Sequence, residues 1–173
     1  MLPPMTPLTD TASYWVSALS LSPHPEGGFF KETYRASDII PAGVFGERFK
    51  GPRNAATGIY YLLEAGDFSA FHRIRSDEMW HFYAGGSLEL HILHEGRHHA
   101  VRIGRHVHDG EVLQYVVPAG AWFAATPFKG APYSLLGCTV SPGFDFADFE
   151  MANSTELTRE YPAFATVIST FTR

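Results

Sequence analysis

The stretch Gly66-Asp67-Phe68-Ser69-Ala70-Phe71-His72-Arg73-Ile74-Arg75-Ser76-Asp77-Glu78-Met79-Trp80-His81-Phe82-Tyr83-Ala84-Gly85 decides how the rest of the chain is read. A glycine turn leads into a strand that carries His72, a polar turn reverses the chain, and an aromatic strand begins at Glu78. Side chains alternate faces along a strand. His72 and Ile74 therefore share one face, and Glu78, Trp80 and Phe82 share one face of the returning strand. A histidine and a carboxylate buried beside aromatics in a small β-domain are what a proton-transfer or metal site needs. His72 and Glu78 are the candidate catalytic residues, with Trp80 and Phe82 as walls of a ligand pocket.

Working outward, 173 residues are enough for one domain with a sizeable core, and 45% apolar and 14% aromatic content describe a packed protein. Sixteen glycines and twelve prolines call for frequent chain reversal, as in all-β folds of short strands. A formal charge of −5 and a pI near 5.9 argue against a nucleic-acid surface, which needs clustered Lys and Arg. Cys138 is the lone cysteine, so no intrachain disulfide forms, and a reducing, cytoplasmic location is the simplest expectation. The opening Met1-Leu2-Pro3-Pro4-Met5 lacks the pattern of a signal peptide, and no apolar run is long enough for a membrane span.

Residues 1–9 read as a flexible tail and 10–173 as a single domain. Thr9 or Asp10 is placed to cap a short helix with Tyr14, Trp15, Ala18 and Leu19 at helical spacing. His24-Pro25-Glu26-Gly27-Gly28 breaks the chain before a strand over 29–35. On that strand Phe30, Glu32 and Tyr34 share a face; if it points inward they join the ligand site, and if the strand is an edge Glu32 is solvated. Residues 36–54 read as a long loop, and further strands are expected over 55–63, 87–94, 99–103, 112–117, 121–125, 133–140 and 144–150. Ser154 or Thr155 should cap a C-terminal helix that ends before Pro162. His91, His94, His98 and His99 flank a hairpin tip, where solvated polar residues are expected, and His106-Val107-His108 falls in a loop.

The order of strands and turns resembles the cupin superfamily. Its first motif places Gly, His, a second His, Glu and Gly at the spacings where this chain has Gly66, His72, Ile74, Glu78 and Gly85. Its second motif, Pro, Gly and His, meets Pro118, Gly120 and Phe123. Two of the usual four metal ligands are thus carbon side chains here. Taken from residue 12 to 150, the chain is similar to a small-barrel cupin branch of unassigned function (a cupin-5 type domain), and more faintly to metal-independent dTDP-sugar epimerases. The resemblance implies an all-β double-stranded β-helix, a jelly-roll barrel with short N- and C-terminal helices, and a homodimer. The epimerase likeness implies His72 as base and Glu32 at a nucleotide-sugar site. Tyr133 lies near the strand that carries those enzymes' tyrosine.

Three readings stand at this point. The first is a metal-free site for a small sugar-like or nucleotide-sugar-like ligand, with no cofactor, in which His72 is a general base oriented by Glu78 and Phe123 adds to the pocket. A histidine suits this because its ordinary pKa lies near operating pH. The second is a binding or structural cupin without turnover. The third is a metal-dependent enzyme using His72, Glu78 and a rescue ligand such as His81. In each the partner is a small molecule, with no nucleic acid and no membrane.

Overall fold

Proline and glycine interrupt the chain so often that its strands stay short, and the antiparallel sheets they form are closed by turns and not by crossover helices. The computed structural model describes residues 10–173; the tail expected over 1–9 lies outside the described residues. Strands β1 (Ser22–Pro23), β2 (Phe29–Arg35), β5 (Thr57–Glu64), β12 (Tyr133–Ser141), β7 (Asp77–Gly85) and β10 (Gln114–Val117) lie side by side in that order as one sheet. A second sheet runs β13 (Glu150–Met151), β6 (Ser69–Arg73), β11 (Trp122–Pro127), β8 (Leu88–His94) and β9 (Arg97–Ile103). β3 (Ile39–Ile40) and β4 (Arg53–Asn54) pair as a small ribbon within the expected 36–54 loop. The fold is all-β, a jelly-roll barrel.

Register explains where the barrel is solid and where it is hollow. Pairing of β12 with β5 and β7 sets inward-facing residues in successive rungs: Val140 with Thr57 and Glu78, then Cys138 with Ile59 and Trp80, then Leu136 with Tyr61 and Phe82. The deeper rungs join Leu90, Ile92 and Phe123 of the second sheet in an apolar core. Each fully buried leucine or isoleucine there contributes about 1.5–3 kcal/mol. The first rung carries Glu78 and Thr57, and there the interior opens into a cavity.

The outer faces are covered by the helices. α1 (Ala12–Ala18) and its C-cap Leu19 lay Trp15, Val16 and Leu19 over Leu62, Tyr133 and Leu135. Its cap is Thr11, one or two residues beyond the expected Thr9 or Asp10, because Thr11 is the extended residue whose Oγ1 reaches the Tyr14 amide at 3.2 Å. α2 (Ser154–Glu160) is capped by Asn153, not Ser154 or Thr155, through a 3.1 Å bond from the Glu156 amide. With α3 (Ala165–Thr170) it covers Phe71, Leu93 and Trp122 on the second sheet. That cover also corrects the expectation for the β8–β9 hairpin. His91 is buried, with its ring 4.7 Å from that of Phe171 and parallel to that of His98. Among the described residues no helix is long and apolar enough to cross a membrane.

The expected strand over 144–150 is mostly absent. Phe146–Asp148 forms a 3₁₀ turn, and only Glu150 and Met151 pair with β6. Asp145 starts that turn by accepting the Ala147 amide at 2.8 Å, which competes with strand pairing. A buried ion pair holds the turn down: Arg53 donates from Nε and Nη2 to the two carboxylate oxygens of Asp148, both at 2.7 Å.

Candidate active site

The cavity has a volume of about 320 Å³, and Glu26 enters it from the Pro25-Glu26-Gly27-Gly28 turn. The turn is clamped on three sides. The Ala70 amide donates to the Glu26 carbonyl at 2.9 Å, the Tyr61 hydroxyl to the Gly27 carbonyl at 2.7 Å, and the Gly28 amide to Asp67 at 2.9 Å. Gly27 has φ of +118° and packs so closely on the Phe68 carbonyl that a Cβ would collide with it. The close fit directs the Glu26 side chain inward, where Oε1 accepts from the Ser69 hydroxyl at 3.0 Å.

Ser69 and His72 both face inward because β6 carries a bulge: Phe123 pairs with His72 but Ala125 with Ser69. Nδ1 of His72 lies 2.7 Å from the Ala70 carbonyl, and Nε2 lies 3.0 Å from Oε2 of Glu26. A carbonyl only accepts, so Nδ1 carries hydrogen and Nε2 faces the carboxyl group. One proton must lie between Nε2 and Oε2. Burial pushes the His72 pKa down to about 4 and raises that of Glu26, and both shifts favour the shared proton on Oε2 of Glu26, facing a neutral imidazole. The Phe123 ring sits 4.1 Å from that of His72 and backs it.

Glu78 comes from the first rung of the barrel. Burial, assisted by the nearby Glu26, pushes its pKa up to about 8, and the Cys138 thiol lies beside it. At neutral pH Glu78 is thus a carboxylic acid with a proton to give. His24 completes the inner wall: its Nδ1 accepts the Glu26 amide at 3.3 Å, and burial lowers its pKa.

At the mouth, Glu32 and Arg35 form a bidentate pair at 2.8 and 2.6 Å. Arg35 also donates to the Asn54 side chain and to the carbonyl of Phe144, which ties the mouth to the 144–149 segment. Phe144, Phe146 and Phe149 from that segment pack their rings 5.0–6.2 Å apart and form an aromatic wall of the cavity, which Phe30 also lines.

Of the residues singled out from the sequence, His72, Glu78, Phe30 and Glu32 line the cavity. His72 is held by Ala70 and Glu26, not by Glu78 as expected. Trp80 sits one rung deeper, its ring against Tyr61 and Phe123, and Phe82 is deeper again. Tyr34 is 56% exposed and turned away. A bulge at Thr33 shifts the strand phase between Glu32 and Tyr34, so Arg35, not Tyr34, joins Glu32 at the mouth. Tyr133 lies outside the barrel under α1, accepting from Trp15 Nε1 at 3.0 Å. His81 also faces outward, bonded to Thr139 and Gln114. Sequence reasoning passed over Glu26, His24, Arg35 and the aromatic wall. A carboxylate set between Pro25 and two glycines was the available signal for Glu26, since such a turn has no need of it.

The residues do not fit a cupin metal centre. Both ring nitrogens of His72 are engaged, and Ile74 and Phe123 stand where the motifs carry further histidines. Among the described residues no three His, Cys, Asp or Glu side chains are grouped to hold one ion.

Comparison with known proteins agrees with the fold. A structure of a hypothetical protein from Leishmania major superposes with a TM-score of 0.85 at 36% identity, covering 94% of this chain and 98% of that one. Protein SO0799 from Shewanella oneidensis gives 0.84 at 35% identity over the same shares. Oxalate decarboxylase from Bacillus subtilis matches at 0.52 and 12% identity, over 86% of this chain and 36% of its own length, a likeness of fold alone. The Saccharomyces cerevisiae protein YML079W is 29% identical over 155 residues, covering 84% of this chain and 77% of that protein. Residues 13–152 match the family described as Cupin superfamily (DUF985), and the chain belongs to that family.

Proposed function

We propose that the protein binds a small, polar, sugar-like carbonyl compound in its barrel and moves a proton within it, an isomerase- or epimerase-type reaction that needs no cofactor. The observation that carries this reading is the 3.0 Å approach of His72 Nε2 to Glu26 Oε2, which calls for a proton between them, in a cavity that also contains Glu78 with its pKa raised to about 8. The Glu26 proton passes to His72 Nε2, leaving a carboxylate that takes the proton from the carbon next to the carbonyl. Glu78 gives its proton to the carbonyl oxygen, and an enediol forms. Glu78 then recovers a proton from an enediol hydroxyl while Glu26 gives its proton back to carbon and takes one in turn from His72 Nε2. Return to the neighbouring carbon gives an isomer, and return to the same carbon after the enediol has turned its other face to Glu26 gives an epimer. No electron leaves the substrate, and the site ends as it began.

The test is to incubate the protein with keto- and aldo-sugars in heavy water and follow deuterium gained next to the carbonyl. Uptake that is lost in His72→Ala supports the reading. Tight binding without uptake in the wild type sinks it and favours the second reading, a binding protein without turnover. That alternative draws on the fact that both nitrogens of His72 already have partners, as a structural histidine would. The homodimer implied by the family resemblance is part of the proposal, and light scattering that reports a monomer would remove it.

A further inference from the structure

We propose that the natural ligand is an uncharged hydroxy-aldehyde or hydroxy-ketone of about one sugar ring, and that sugar phosphates and nucleotide sugars are turned away at the mouth. This rests on the proton-transfer reading and narrows its substrate.

A phosphate needs donors waiting for it, from Arg, Lys or a run of free backbone amides. Among the described residues, Arg35 is the only lysine or arginine in the cavity wall. Four of the five guanidinium N–H groups are already placed, two on Glu32, one on Asn54 and one on the Phe144 carbonyl. The carboxylates of Glu32 and Asp145 stand in the same wall and face any anion that enters. Like charges set against each other at a binding surface cost affinity steeply.

Inside, burial disfavours charge on each titratable group that meets the ligand, lowering the pKa of the His24 and His72 imidazoles and raising those of the Glu26 and Glu78 carboxyl groups. They can exchange hydrogen bonds with hydroxyl and carbonyl groups but offer an anion no countercharge. The same cavity is lined by Phe30, Ile59, Val140 and Phe149, apolar surfaces suited to the C–H faces of a sugar ring. The volume, about 320 Å³, is at the small end for ligand cavities, which run from roughly 300 to 1,000 Å³. A single ring suits that volume, and a nucleoside diphosphate attached to the ring would have to lie at the mouth, against Glu32 and Asp145.

The experiment compares a panel of free five- and six-carbon ketoses and aldoses with their phosphate monoesters and with dTDP-glucose. Affinity is read by calorimetry or saturation-transfer NMR, and deuterium uptake is read in parallel. At least one free sugar should bind about tenfold or more tighter than its own phosphate. Glu32→Gln, an exposed substitution, releases Arg35 and should raise the affinity for that phosphate about tenfold. A phosphate ester or dTDP-glucose that binds as tightly as the free sugar overturns the proposal, as does a panel in which no free sugar binds. Failure of Glu32→Gln to improve phosphate binding overturns it too, because the engaged Arg35 would not be what excludes anions. Free sugars that bind selectively but take up no deuterium sink the proton-transfer reading and leave the ligand class standing. His72-dependent uptake from the phosphates, at the rate seen with the free sugars, does the reverse.

Discussion

Nε2 of His72 and Oε2 of Glu26 face each other at 3.0 Å, and the Ala70 carbonyl, 2.7 Å from Nδ1, fixes which ring nitrogen is free to share a proton. The two residues come from different parts of the barrel, a strand and a clamped turn. They act as one titrating unit, so removal of either should look alike. His72→Ala and Glu26→Gln should each lower deuterium exchange by about 10²-fold or more, the scale of a general base. The double variant should be scarcely worse than either single one, as for residues that work together. Additive losses, measured on the same substrate, would show that the two act separately.

The pH profile of exchange should be bell-shaped. The acid limb falls where His72 takes up a proton it cannot pass on, near its pKa of about 4. The alkaline limb falls where Glu78 loses the proton it must give, near about 8. Glu78→Gln, which carries no titrating proton, should remove the alkaline limb along with most of the rate. An alkaline limb that persists unchanged in Glu78→Gln would assign it to another group.

Stability should also depend on pH, with a direction set by burial. Glu78 has a folded pKa raised from 4.5 to about 8, so its contribution is intact below 4.5 and is lost as pH rises to about 8. His72 has a folded pKa lowered from 6.5 to about 4, so its contribution is present above 6.5 and is lost as pH falls towards 4. Between 4.5 and 6.5 the two slopes oppose each other; between 6.5 and 8 only that of Glu78 remains of this pair. Unfolding free energy should drop by about 2 kcal/mol over that upper interval. Urea titrations at the two ends check this, and Glu78→Gln should flatten the drop.

The aromatic wall depends on the Arg53 and Asp148 ion pair, which is buried on both sides. Asp148→Asn leaves the guanidinium without its countercharge and should cost about 3–5 kcal/mol. The urea midpoint reports the loss. Protease cleavage should appear first within 144–149, because that segment is held at Asp148, at Asp145 and at the Phe144 backbone. Cleavage elsewhere in the chain would show that the segment is secured by something other than this pair.

Strand alternation, read from the sequence, put His72, Ile74 and Glu78 on the interior because each strand of that hairpin keeps its phase over the few residues concerned. The spacing of Gly66, His72, Glu78 and Gly85 pointed to the barrel for the same local reason. Alternation failed at Tyr34, where one extra residue, Thr33, reverses the phase and brings Arg35 to the mouth. A bulge is decided by how the partner strand pairs, and no single strand records it. Tyr133 went to the wrong side because its hydrogen bond is to Trp15, across the outer face of the sheet. Only the tertiary structure joined Glu26 to His72: the turn that carries Glu26 is aimed by bonds it accepts from Ala70 and Tyr61 and one it donates to Asp67, all distant in the chain. The charge state of the site is equally non-local. His72, Glu26 and Glu78 would all be ordinary water-exposed groups in an open chain, but closing the barrel withdraws them from water and shifts each pKa towards the uncharged form.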